Sequence, residues 1–576
     1  MRRARSWGAA LLLAGCGVAA SADAAVFWVG AAAPCNFNTL QTAIGAVPDG
    51  SVLRIASNQD YDAINVTISN KSITLEGGWA DCTGTEDDDV VTLTGSPVTA
   101  APVIGINSPV VAREVTLRRL RITGGQQSGI ELSGHVDLSL ERSIVDANVA
   151  TTGAGIHVVG VSPDDTVLDI TESVVGNLDE TPGTGNQSTV NGGGIACQTA
   201  AIHLNGAVVR NNHATGSGGG LSLLGCDVET GFNIFQTPEL GVVTAVIAAN
   251  VADAVGGGIH AIGGSTVHLG PAIGRTEVSD NDAVRGGGIY LANVGTTVTG
   301  EGLSIDGNRG VDNGGAAFID DGASLSMQRY TQPPERPDGS ADTRGIIVIG
   351  TLCQVHGECS SASFNRTDEL TGGAFYVANA GLALNQTVLR GNFAGNGSLL
   401  LLTGDSVARV QNSLIEGNDT NHNDLVRMLD GSSLALNSST IAGNATGPVL
   451  LRLFSDNGAN NLALFNSIIW QPDTTVLAAT PADTVNSVCM NAHETESIDA
   501  VDHDPGFIDA LASDYRLLST SQNIDACADP FSEETDDLLG WVRPVDLGPD
   551  HGDGDFDRGA YELGDRIFAD GFDVLF

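Results

Sequence analysis

The sequence predicts an all-β protein: a right-handed parallel β-helix (solenoid) with an N-terminal cap helix and an irregular C-terminal cap. Three observations predict it. The first is a recurring phrase, an apolar strand ending in Asn, a short turn, then a glycine run and another strand. Val246-Ile247-Ala248-Ala249-Asn250 leads to Gly256-Gly257-Gly258-Ile259, and Glu277-Val278-Ser279-Asp280-Asn281 leads to Gly286-Gly287-Gly288-Ile289. Ser304-Ile305-Asp306-Gly307-Asn308 leads to Gly314-Gly315-Ala316. The second is a column. Val145, Val174, Val209, Ile247, Val278, Ile305, Leu389, Ile415 and Ile441 stand three residues before Asn148, Asn177, Asn212, Asn250, Asn281, Asn308, Asn392, Asn418 and Asn444. Most of these asparagines are roughly 26 to 38 residues apart, the period of a stacked repeat. The third is composition: 74 glycines and only 5% aromatic residues suit a narrow coil and disfavour helix pairs.

A strand in such a unit has nothing to bury against within its own repeat, so stacking must turn the aliphatic column into a continuous core. Asn tolerates a left-handed turn, and its side chain can bond to the next rung. Gly turns the chain where a Cβ would clash. The GGGI/GGA and strand-to-Asn phrases resemble the repeats of pectin-lyase-like β-helix proteins, and the GGA[IL] and FxxN repeats of polymorphic outer-membrane proteins. The resemblance covers roughly residues 35–475 and implies a fold only, since this scaffold hosts lyases, hydrolases and adhesins alike.

The elements follow in order. Residues 1–24 read as a signal peptide, with Arg2, Arg3 and Arg5, an apolar stretch from Ala9 to Ala20, and Ala22-Asp23-Ala24 as the cleavage site. Leu13-Ala14-Gly15-Cys16 also reads as a lipobox, in which Cys16 would carry a lipid anchor. Residues 26–100 form the N-terminal cap and first rungs. A short amphipathic helix is expected within residues 35–44, with Leu40, Ile44 and Val47 on one face, then a strand from Ser51 to Ile55 and a rung from Ile73 to Trp79. Residues 101–475 are the β-helix, with excursions at 161–167, 181–188 and 225–241. The proline-rich stretch within 327–366 is a side insertion, since proline removes ladder donors. Ser467-Ile468-Ile469-Trp470 is the expected last full rung. Residues 476–562 change character. Their series, ending in Asp557-Arg558-Gly559-Ala560-Tyr561-Glu562, resembles the choice-of-anchor Q region that follows β-helices in bacterial surface proteins. In the tail, 563–576, Ile567-Phe568-Ala569-Asp570-Gly571-Phe572-Asp573 resembles short terminal tags of exported proteobacterial proteins.

Charge narrows the partners. The formal net charge is −43 and Lys71 is the only lysine, which argues against nucleic acid. No stretch after the leader is apolar for long enough to cross a membrane as a helix. Of nine cysteines, Cys16 belongs to the leader. The other eight fall into sequential pairs: Cys35 with Cys82, Cys197 with Cys226, Cys353 with Cys359, and Cys489 with Cys527. This is the simplest of the 105 ways to join them in an exported chain.

Chemistry is thinly marked. A lyase of acidic polysaccharide needs carboxylates holding Ca²⁺ and an Arg or Lys base. The position two before the repeat Asn carries Asp146, Arg210, Asp306, Arg390 and Glu416, and stacking could bring Asp146 and Arg210 onto one face. The paired carboxylates Asp164-Asp165 would serve a hydrolase only in a turn, because adjacent strand residues face opposite ways. Asp550, Asp553, Asp555 and Asp557 alternate in a loop that could bind Ca²⁺, against the plainer reading of an acidic loop. The expected function is therefore an exported surface or secreted protein, binding or adhesive, with a polysaccharide or cell-surface component as partner. A polysaccharide lyase or glycoside hydrolase acting on acidic polysaccharide is the alternative. The resemblances imply the cell surface or exterior of a Gram-negative bacterium.

Overall fold

The computed structural model describes residues 24–31, 33–87, 90–178, 183–231, 235–237, 241–270, 275–329, 359–369, 371–472, 474–493, 498–528, 536–539, 543 and 554–563. The leader with Cys16, most of the 327–366 insertion including Cys353, Asp550, Asp553 and the tail lie outside them.

The fold is the parallel β-helix. Each rung passes through four extended stretches, as in Ala207–Arg210 of sheet B, His213–Ala214 of sheet C, and Leu221–Leu224 and Asp227–Thr230 of sheet A. Each pairs in parallel with its counterpart one rung on; Ala207 faces Ala245, His213 faces Val251, Leu221 faces Ile259 and Asp227 faces Thr266. Sheet A takes two strands from most rungs and has 28 among the described residues. Inside, Val209, Ile247, Val278, Ile305, Ala362, Leu389, Ile415, Ile441 and Ile469 stack in register. None is more than 2% exposed.

The asparagine column is real, with two corrections. It runs Asn148, Asn186, Asn212, Asn250, Asn281, Asn308, Asn365, Asn392, Asn418, Asn444 and closes on Gln471. Each Asn before Asn444 donates its backbone N–H and its Nδ2 to the Oδ1 of the next rung, and Nδ2 also donates to a carbonyl of the rung before; Asn444 reaches Gln471 through its backbone N–H alone. Asn177 is not a member. Val145 pairs with Val175 rather than Val174, so the rung is one residue out of phase at Asn177, and an excursion delivers Asn186 instead. Asn365 takes the place hidden behind the insertion. The left-handed residue is also not the Asn but its predecessor: Ala147, Asn211, Ala249, Asp280, Gly307, Phe364, Gly391, Gly417 and Gly443 all have positive φ. That turn swings the amide inward to the ladder.

The cap helix runs Leu40–Ala46 and buries Leu40, Ala43 and Ile44. It starts later than the sequence pattern, because Asn36 and Phe37 are bonded to the first strand, Val26–Val29. Lys71 closes its C-terminus, donating to the carbonyls of Ile44 and Val47 at 2.6 and 2.5 Å. The Cys35–Cys82, Cys197–Cys226 and Cys489–Cys527 disulfides are present, and Cys359 is disulfide-bonded.

The coil continues one rung beyond Trp470, through Thr475–Ala478, Thr484–Val488 and Met490–Ala492. The C-terminal region then does more than close the end: it returns along the outer face of sheet B. Gln386 donates to the Asp537 carbonyl, Ser513 to Glu416, the Ala560 N–H to Thr440 Oγ1 and the Gly559 N–H to the Asn466 carbonyl. Leu414, Ala442 and Ile468, which point outward, are buried under Tyr515, Leu517, Ile524, Leu538 and Tyr561. Sheet B is apolar on both faces there, as expected of a parallel sheet covered on both sides.

Candidate functional site: a charged corner groove

Rungs pass from sheet A to sheet B through a corner residue with left-handed backbone. Downstream that corner is held by Gly206, Gly302, Gln386, Asn412, Ser438 and Asn466, all short or amide-bearing. Three consecutive corners early in the coil are different. Arg119, Arg142 and Glu172 hold φ of 53°, 46° and 48°. A charged residue gains nothing from that conformation, which costs an L-residue about 1 kcal/mol or more. What the corner does supply is direction: it projects three long charged side chains from adjacent rungs over one stretch of surface.

Beside them runs a second ladder, one residue earlier, of Glu76, Arg118, Glu141 and Thr171 on successive rungs. Arg118 bonds Glu141 at 2.7 Å and reaches Glu76 at 3.5 Å, while Arg54 reaches Glu76 at 3.3 Å. The Glu141 hydrogen bond, with the charges of Glu141 and Glu76, raises the Arg118 pKa above its ordinary value. Arg142 bonds Glu172 at 2.7 Å. Trp79 is buried behind them, its ring under the Arg54 guanidinium at 4.0 Å and edge-on to Trp28. All of these residues except Arg54 and Trp28, together with Glu86 and Arg119, line a groove of about 320 Å³.

Arg119 stands apart from its neighbours. Among the described residues no carboxylate lies within ion-pair reach of it. Its side chain lies across Gly78, where a Cβ would come within 2.7 Å of its Cδ and 2.9 Å of Nη1. Gly78 itself has φ +81°, so a glycine is required there twice over, by backbone and by space. Among the described residues the groove thus presents one guanidinium without an ion pair, beside Glu76, Glu141 and Glu172, which are paired with arginine, and Glu86, which is not.

The residues singled out from the sequence sit elsewhere. Asp146 and Arg210 do share the outward column of sheet B, with Gly176 between them. They do not form a site together. Arg121, one rung before, holds both oxygens of Asp146 at 2.6 to 3.2 Å. Arg210 lies nearer Asp280, whose carboxyl is pushed up by burial and by Glu277 and drawn down by Arg210. Further along, Arg390 bonds Glu416 at 2.7 Å. Asp164 and Asp165 are in a turn, as a shared site requires, but both are exposed, and Asp165 accepts from Ser162 at 2.7 Å. Of the proposed Ca²⁺ loop, Asp555 is exposed while Asp557 is fully buried and accepts the N–H groups of Asp525 and Leu563. Among the described residues no group of three or more His, Cys, Asp or Glu is placed to hold a metal ion.

A stack of rings on sheet A, His260, Tyr290, Phe318 and Tyr376, has centroids 5.6, 5.4 and 4.6 Å apart. The rings turn their faces to one another and only edges outward, so they bind the rungs together and offer no platform for a sugar.

Sequence reasoning missed the groove. Its signal was the run Arg118-Arg119-Leu120-Arg121 in a chain with only 26 Lys and Arg. No family model matches the chain, and no curated protein matches it. No helix among the described residues is long and apolar enough to cross a membrane.

Proposed function

We propose that the protein is an exported, surface-displayed or secreted β-helix that binds polysaccharide without transforming it, and that the chain lies along the corner groove. The observation that supports this reading is the gathering of scarce arginines, with Trp79, on one corner of an otherwise strongly acidic molecule. Disulfides in the first rungs, the middle of the coil and its last rung fit an oxidising compartment outside the cytoplasm.

The groove's own chemistry favours binding over turnover. A lyase base must lose its proton near neutral pH, and Arg118 is shifted the opposite way. Glu76 and Glu141 each commit an oxygen to Arg118, leaving neither positioned as a free acid and base pair. The test is to titrate the purified mature chain with acidic and neutral polysaccharides, with Ca²⁺ and with chelator, while following ultraviolet absorbance and new reducing ends. Saturable binding with neither product supports the reading. Calcium-dependent unsaturated product would establish a lyase, and reducing ends without unsaturation a hydrolase.

A further inference from the structure

We infer that Arg119 makes the corner groove selective for sugars that carry an oxyanion group, a carboxylate or a sulfate ester, and that this guanidinium is the residue that recognises it. The inference rests on the polysaccharide reading above and goes further, to the chemistry of the ligand.

Three features converge on Arg119. Among the described residues it is the groove guanidinium with no carboxylate in ion-pair reach, whereas Arg118 and Arg142 are paired. It is held in a left-handed corner that, apart from Arg142 and Glu172, other rungs fill with Gly, Asn, Ser, Gln or Cys, so its presence is not explained by the turn. Gly78 leaves the space in which its side chain lies. A planar guanidinium with its donors in a fixed fork matches an oxyanion by two parallel hydrogen bonds, which an ammonium does not. The surrounding carboxylates Glu76, Glu86, Glu141 and Glu172 repel an anion placed anywhere but over Arg119, so they sharpen position as well as opposing net affinity.

The experiment compares matched ligands that differ only in charge: polygalacturonate against its methyl ester, and dextran sulfate against dextran. Binding is measured by calorimetry for the wild-type chain, for Arg119→Gln, and for Arg409→Gln, which removes the same charge from an exposed position on sheet A. Gln386 occupies the equivalent corner, so glutamine at 119 is compatible with the fold. The wild type is expected to prefer the charged member of at least one pair by about tenfold, and Arg119→Gln to lose that preference while binding the neutral member unchanged. Arg409→Gln should behave as wild type. Which pair shows the preference identifies carboxylate or sulfate. If the wild type binds charged and neutral members equally, or if Arg119→Gln keeps the preference, the inference is overturned while polysaccharide binding stands. If no polysaccharide binds at all, the underlying reading fails with it.

Discussion

At the scale of single residues, the asparagine ladder makes several buried hydrogen bonds per side chain. Asn281 accepts from the backbone and side chain of Asn250 and donates to the Ile247 carbonyl and Asn308 Oδ1, all with no exposure to solvent. Asn281→Ala leaves each of those partners short and should lower stability by about 2–4 kcal/mol, read as a shift in urea midpoint. Asn365→Ala should cost as much. Asn177→Ala should cost about 1 kcal/mol or less, because among the described residues its side chain bonds Thr184 and Asn211, outside the ladder. Equal effects at 177 and 281 would contradict the ladder described here. The three positions also mark what the sequence can convey. The period was legible because identical rungs need identical amides. Its phase was lost where an excursion followed Val175, since spacing from a valine cannot register residues inserted after the strand. Arg119 was illegible for a related reason: its isolation depends on partners brought from Arg118, Arg142 and their carboxylates on other rungs.

At the scale of elements, two features lend themselves to test. The first is the aromatic stack on sheet A. Burial lowers the His260 pKa from 6.5 to about 4. A base with a depressed folded pKa stabilises the protein above its unfolded value and loses that contribution as pH falls through the folded one. The stack should therefore weaken between pH 6.5 and 4, by up to about 3 kcal/mol. His260→Phe, which continues the rings of Tyr290 and Phe318, should remove this component of the acid sensitivity, as seen in thermal midpoints across that range. An unchanged acid slope would place the titration elsewhere. The second feature is the C-terminal region, tied to the last rung by Cys489–Cys527 across 38 residues. Replacing both cysteines with serine should weaken its docking by about 3–4 kcal/mol. Limited proteolysis should then remove the region first and leave the coil intact. The sequence marks a change of character after residue 475 by its motif series. Its course back along sheet B was not, since Leu414 and Ile468 look like any alternating strand residues until something is known to cover them.

At the scale of the whole molecule, the formal charge of −43 sets the sign of the salt response. A polyanion approaching this surface is repelled over a screening length of roughly 30 Å at 0.01 M salt and roughly 8 Å at 0.15 M. The contact at Arg119, in a groove and at hydrogen-bond range, is screened less. Affinity for a charged polysaccharide should therefore rise as salt increases from 10 to 150 mM. A steep fall would mean that scattered surface cations, and not the groove, do the binding.

The C-terminal region has one more consequence, which concerns how long this molecule can be. Rungs joined by the asparagine ladder are interchangeable cassettes, as short as 26 residues between Asn392 and Asn418 and between Asn418 and Asn444. A duplicated cassette placed upstream of Gln386 would lengthen the rod and disturb nothing beyond it. The same duplication downstream would pull apart the anchor points at Gln386, Glu416, Thr440 and Asn466, which the returning chain touches at fixed intervals. One half of the rod is free to change length by duplication, and the other is held to a template of its own making.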